Sequence, residues 1–183
     1  MKFAAFFRNL NLGHGNAPSR AALEDAFVRA GADDVASFQT NGTVAFSARG
    51  TRPARKVVRT VQQELASELG FDEPVFLRDM PYLQTLLARD PFAGIEKAPP
   101  LYDFYVTFLH DNAKVLPTLP TCNARGDVKV LLYTGSEVLS FNHITGKTMG
   151  NPNAFAEQLF GLPVTTRTWG TLGRLVRLVR KHG

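Results

Sequence analysis

The sequence predicts an α+β protein of two lobes, the first carrying an antiparallel sheet and the second a smaller α+β unit. Three observations carry this expectation. Residues 3–47 read as strand, loop, helix, strand, turn and strand; a second helix and a fourth strand follow by Arg78; strand and helix patterns then resume beyond a proline-rich segment at 94–100.

In the first lobe, Lys2–Arg8 is a short apolar run that the polar loop Asn9–Pro18 interrupts, and Ser19 offers a hydroxyl to cap a helix. Leu23, Ala26, Phe27 and Ala30 recur at spacings of three and four, so they share one stripe. Gly31 supplies the stop. Val35–Thr40 and Thr43–Ala48 flank Asn41-Gly42, a pair suited to a two-residue hairpin turn because both central positions need positive φ. Thr51 is expected to cap and Pro53 to open the second helix, with Val57, Val58, Val61, Leu65 and Leu69 inward and Gly70 at its end. Pro74–Arg78 reads as the fourth strand. The order strand, helix, strand, strand, helix, strand is the ferredoxin-like βαββαβ arrangement, with two helices on one face of a four-stranded antiparallel sheet. A short helix carrying Leu83, Leu86 and Leu87 should follow, giving boundaries of 1–95 for this lobe and 101–183 for the next.

In the second lobe, Leu101–Leu109 alternates as a strand, and Asp127–Tyr133 with Glu137–Asn142 flank Thr134-Gly135-Ser136 as a hairpin. Asn151 caps and Pro152 opens a helix that Gly161 closes. Val164–Arg167 reads as a last short strand, and Thr168 caps a terminal helix from Trp169 to Lys181. On that helix Leu172, Leu175, Val176 and Val179 face one way, and Arg174, Arg177 and Lys181 the other.

At 183 residues the chain is long enough to bury roughly 70% of its unfolded surface. Hydrophobic residues at 44% and charged residues at 20% are ordinary for a globular chain, and no segment nears the ~20 apolar residues that cross a bilayer. The start MKFAAFFRNLN turns polar without a cleavage site, and the single cysteine, Cys122, allows neither an intramolecular disulfide nor a multi-cysteine metal site. A cytoplasmic location is expected. The net charge of +5 is uneven: residues 1–121 hold 13 basic and 13 acidic side chains, while 122–183 hold 8 and 3. Arg167, Arg174, Arg177, Arg180 and Lys181 follow Val164 with no acid to offset them, a field that draws anionic partners.

Three stretches resemble the family known as domain of unknown function 1697. Arg8-Asn9-Leu10-Asn11-Leu12-Gly13-His14-Gly15-Asn16 is similar to its Arg-Gly-Ile-Asn-Val-Gly-Gly-x-Asn, and Phe38-Gln39-Thr40-Asn41-Gly42-Thr43-Val44-Ala45-Phe46 to its Tyr-x-Gln-Ser-Gly-Asn-Val-Val-Phe. Thr165-Thr166-Arg167-Thr168-Trp169-Gly170-Thr171 resembles its Thr-Thr-Arg-Asn-Trp-Asn-Thr. This chain departs at Asn9, Thr40, Thr43, Thr168 and Gly170, so if those amides hold a ligand in relatives, this chain would bind it differently or not at all. The resemblance implies a two-lobed α+β protein, the first lobe ferredoxin-like, without an established activity.

The loop from Arg8 to Pro18 is the leading candidate site, since it sets a cation, amides and glycines just before a helix N-terminus, where unpaired N–H groups attract anions. Its candidate ligand-binding residues are Arg8, Asn11, Gly13, His14 and Asn16. Gly13-His14-Gly15 lacks the third glycine of a dinucleotide fingerprint, and Gly146-Lys147-Thr148 lacks the first glycine of a phosphate loop. The competing reading makes the loop structural, its Asn side chains serving the backbone. Arg167 and Trp169 are either an anion clamp and its neighbour or an ion-paired cation and a packed aromatic. The basic patch Arg174, Arg177, Arg180 and Lys181 is either a contact surface or a solvated face favoured by the helix dipole. No cofactor or metal is called for: the four His show no ligand spacing, and no Ser occupies a nucleophile elbow.

These features lead to the expectation of a non-catalytic protein that binds nucleic acid or a phosphorylated small molecule between the lobes. The alternative is an enzyme acting on a phosphate or nucleotide derivative, for which His14 with an acid would be the feature to find. A variant has Phe3, Phe6, Phe7 and Phe46 stacking RNA bases on an open sheet face, against their packing beneath the helices. No membrane partner is expected, and a homodimer through edge strands is open.

Overall fold

A computed structural model describes residues 1–15, 17–111, 113 and 118–181. Among the described residues the fold is mixed α+β, with antiparallel sheets and five helices. The chain divides into two compact units, Met1–Thr85 and Leu86–Lys181. The division falls inside a helix, ahead of the 94–100 segment that composition marked as a linker. A physical reason is that Phe92 stacks on Phe104 at 4.5 Å and meets Trp169 edge-on at 5.2 Å, tying the stretch before Pro99 to the second unit.

In the first unit, β1 (Lys2–Phe7), α1 (Arg20–Arg29), β2 (Asp33–Phe38), β3 (Thr43–Ser47), α2 (Thr51–Leu69), β4 (Val75–Asp79) and the first turns of α3 (Met80–Ala88) follow one another. The sheet order is β2-β3-β1-β4, antiparallel throughout. Because side chains alternate along a strand, Phe3, Ala5 and Phe7 share the face that Val44 and Phe46 extend. Leu23, Ala26 and Phe27 of α1 and Ala54, Val57, Val58, Val61 and Leu65 of α2 close over that face. Phe27 lies 5.1 Å from Phe46 and 6.1 Å from Phe7, so the aromatics form one helix-covered core. Phe3, Phe7 and Phe46 are therefore unable to stack on RNA bases, and Phe6 on the other face is only 1% exposed. The variant that used them is overturned.

Two local expectations change. The β2–β3 connection is not a two-residue turn: Phe38 pairs with Thr43, and positive φ falls on Gln39 (60°) and Gly42 (63°) rather than on Asn41 and Gly42. Thr51 is not the cap of α2 but its first residue; Gly50 occupies the N-cap, with no side-chain hydrogen bond there and no acid in the first turn. Ser19 does cap α1, its Oγ accepting from the Ala22 amide at 3.1 Å.

The second unit holds β5 (Leu101–Phe108), β6 (Thr121–Cys122), β7 (Val128–Tyr133), β8 (Glu137–Thr145), β9 (Thr148–Met149), α4 (Pro152–Phe160), β10 (Thr165–Thr168) and α5 (Trp169–Lys181). Its sheet runs β10-β5-β8-β7-β6, with β9 folded back on β8. Phe155, Ala156 and Phe160 of α4 pack with Val128, Val130, Val138 and Val164. Asn151 caps α4, and Gly161 at φ 64° ends it. Gly146 and Lys147 form the tip of the β8–β9 hairpin, a surface turn. The short strands β6 and β9 escape sequence reading because two residues carry no periodicity.

Candidate functional site

The loop that leaves β1 is held down as firmly as an element of the core. Leu10 and Leu12 are 3% and 5% exposed, so this loop is not polar throughout. The Phe7 amide donates to the Gly42 carbonyl and the Leu12 amide to the Thr40 carbonyl, both at 2.8 Å. Within the loop, the Gly13 amide donates to Pro18, His14 to Asn11 and Ala17 to His14. Gly13 and Gly15 take positive φ, which glycine adopts without steric cost. These amides serve the loop itself.

Arg8 is ion-paired with Glu73, and the Asn9 side-chain amide donates to the other Glu73 oxygen at 2.8 Å. Two loop residues thus clasp the segment ahead of β4. Asn11, Gly13 and His14 remain exposed; Asn16 lies outside the described residues. Among the described residues no carboxylate is hydrogen-bonded to the His14 ring, and no group of three His, Cys, Asp or Glu side chains could hold a metal ion.

Arg167 and Trp169 belong to the second unit. Arg167 is 8% exposed, and its guanidinium donates to Thr165 Oγ1 and to the Thr166 carbonyl, each at 2.9 Å. Burial pulls its pKa down to about 10, which still leaves a cation at neutral pH. Trp169 is half-buried on Phe92. Thr168 Oγ1 accepts from the Thr171 amide at 3.2 Å, capping α5 as expected. Along α5, Leu172, Leu175 and Val176 are buried while Arg174, Arg177 and Arg180 are exposed. The Lys181 side chain lies outside the described residues. Nearby on β5, burial and then the Asp103 charge push the Tyr105 phenol up to about 12, opposed by its hydrogen bond with Asn142.

A second cationic surface went unread in the sequence. Arg49, Arg52, Arg55, Lys56 and Arg59 are all exposed, the last four on α2. No carboxylate occurs from Val35 to Gln63. The signal was present, but a charge tally over residues 1–121 averages this run against acids elsewhere.

The family whose description is protein of unknown function (DUF1697) matches residues 1–136. The chain belongs to the DUF1697 family. Among curated proteins, none matches it. A solved structure described as the conserved bacterial protein SP0830 from Streptococcus pneumoniae is similar in fold, with a TM-score of 0.65 at 16% identity. The likeness covers 96% of this chain and 97% of that one.

The DUF1697 motifs acquire physical reasons from the geometry. The first two meet in space: a Cβ added at Gly42 would fall 2.7 Å from Leu10 Cβ and 2.9 Å from Phe7 Cβ, so only glycine lets the hairpin seat the loop. Asn9, where the family pattern it resembles has Gly, has φ 52°, a left-handed conformation that Asn tolerates best after Gly. Thr168, where the pattern that the last stretch resembles has Asn, keeps a capping side chain. Two of the departures from the family pattern therefore preserve backbone geometry.

Proposed function

We propose that this DUF1697 protein is a non-catalytic binding protein for an anionic ligand, nucleic acid or a phosphorylated small molecule. The observation that carries the reading is α5, where Arg174, Arg177 and Arg180 are exposed in a stretch with no carboxylate after Glu157. Leu172, Leu175 and Val176 are buried and, among the described residues, Leu178 is the one large apolar side chain of the helix that is exposed, at 39%, so the solvent side is mainly cationic. Such a field raises the encounter rate with polyanions. Asn11 and His14 of the first loop are also exposed, whereas Arg8 and Arg167 act by holding their neighbours in place.

The same reading takes the first unit as ferredoxin-like, on its β2-β3-β1-β4 order, within a two-lobed protein of the cytoplasm. The edge strands β2 and β4 offer backbone groups for a homodimer. Anisotropy titrations against single-stranded DNA, RNA and nucleotides at two salt concentrations test the proposal. Affinity should fall as salt rises, and Arg174→Gln, Arg177→Gln and Arg180→Gln combined should weaken it; no binding to any of these at low salt overturns it.

A further inference from the structure

The cations of α2 sit where a helix tolerates them least. Arg52, Arg55, Lys56 and Arg59 fall at i, i+3, i+4 and i+7, one stripe on the solvent side of the first turns. The opposite side carries Ala54, Val57, Val58 and Val61, all buried. Arg49 stands just before the helix. The helix dipole places partial positive charge at this end, and the first turn contains no acid to answer it. The carboxylates of α2, Glu64 and Glu68, lie at the far end, where the dipole favours cations. Arg49, Arg52, Lys56 and Arg59 meet no carboxylate within the salt-bridge limit among the described residues. Charge order along this helix is thus reversed relative to what stabilises a helix. Natural sequences break local rules of this kind mainly at functional sites.

We infer that the α2 stripe is a docking surface for the phosphate backbone of duplex nucleic acid. The stripe runs about 10.5 Å along the helix at 1.5 Å per residue, so its cations are spread along a line rather than gathered around one phosphate. A duplex carries charge in the matching form, roughly one phosphate per 3.4 Å along each strand. Single strands bind on aromatic platforms, and α2 contains no aromatic residue. A bilayer would need the apolar face of the helix, which the core already holds. The contact reads charge and not sequence, since phosphate contacts position a protein on the duplex without specifying bases. This inference shares with the reading of α5 an anionic ligand that includes nucleic acid, but it stands on a different helix and is tested by a different variant.

The test is an anisotropy titration of the full chain with a labelled mixed-sequence DNA duplex between about 50 and 200 mM salt. The comparison is with Arg52→Gln, Lys56→Gln and Arg59→Gln combined, and separately with the α5 triple variant. Gln is a good helix former, and these positions are exposed, so circular dichroism should find the α2 variant folded. Expected is a loss of about tenfold or more at low salt, and a salt slope shallower by about 2.7, at ~0.9 for each phosphate no longer neutralised. A folded α2 variant that keeps wild-type affinity and slope overturns the inference. If only the α5 variant loses binding, this inference fails and the α5 reading survives; if the wild-type chain binds no duplex at low salt, this inference fails. Anionic phosphatidylserine vesicles form the last arm, and loss of vesicle binding with duplex binding intact would reassign the stripe to a membrane.

Discussion

Helices α2 and α5 are built alike and charged in opposite order. Each buries an aliphatic stripe in the core of its own unit and turns a row of cations to solvent. On α5 the exposed arginines run from the middle of the helix to its last turn, where the C-terminal dipole favours Arg177 and Arg180, and a capping threonine satisfies the start. On α2 the cations crowd the first turns and the start has no side-chain cap. The α5 pattern is what stability alone would select; the α2 pattern is maintained at a cost to the helix. Equal charge therefore does not mean equal information: on α5 helix stability and anion binding favour the same placement of cations, whereas on α2 the dipole opposes it.

The comparison can be broken first at its foundation, the two apolar stripes. Leu65→Ala in α2 and Leu175→Ala in α5, both at nearly fully buried positions, should each cost about 2–5 kcal/mol in denaturant unfolding. A loss below that range at either site would mean that helix is not seated as described. The caps should differ next. Thr168→Ala should lower stability by about 1 kcal/mol, whereas Gly50→Ser should change it by only a few tenths, in the stabilising direction, since an added Cβ at Gly50 meets open space. Smallest per residue, and most telling, is the sign of the charge effect. Arg52→Gln should raise and Arg180→Gln should lower stability, each by about 0.3–1 kcal/mol at low ionic strength, with both effects fading in high salt. Thermal melts of the two variants beside wild type decide it, and shifts of the same sign would end the contrast between the helices.

Much of this architecture was legible because it depends on local rules. The stripe at Leu23, Ala26 and Phe27, the caps at Ser19, Asn151 and Thr168, and the stops at Gly70 and Gly161 rest on spacing and backbone preference over a few residues. The hairpin at Gly42 was placed correctly but its turn was not, because the loop that packs on it, through Leu10 and Phe7, is distant in sequence and selects which residues take positive φ. The loop itself looked like an exposed bend of amides and glycines; its leucines are buried and Arg8 is engaged by Glu73, sixty-five positions away. The α2 stripe was visible in spacing alone and was lost by summing charge over too long a window.

From the order of residues alone follow the helices, most strands, their inward faces and membership of a family, since each rests on periodicity, capping chemistry or short motifs. Which cations remain available was settled only once the chain had folded. Arg8 and Arg167 carry the same guanidinium as Arg52 and Arg177, but folding brings the first pair against Glu73 and against Thr165 and Thr166 while it leaves the second pair in water. The physical reason is that a charge finds its partner through space, and the distance along the chain does not report the distance across the fold.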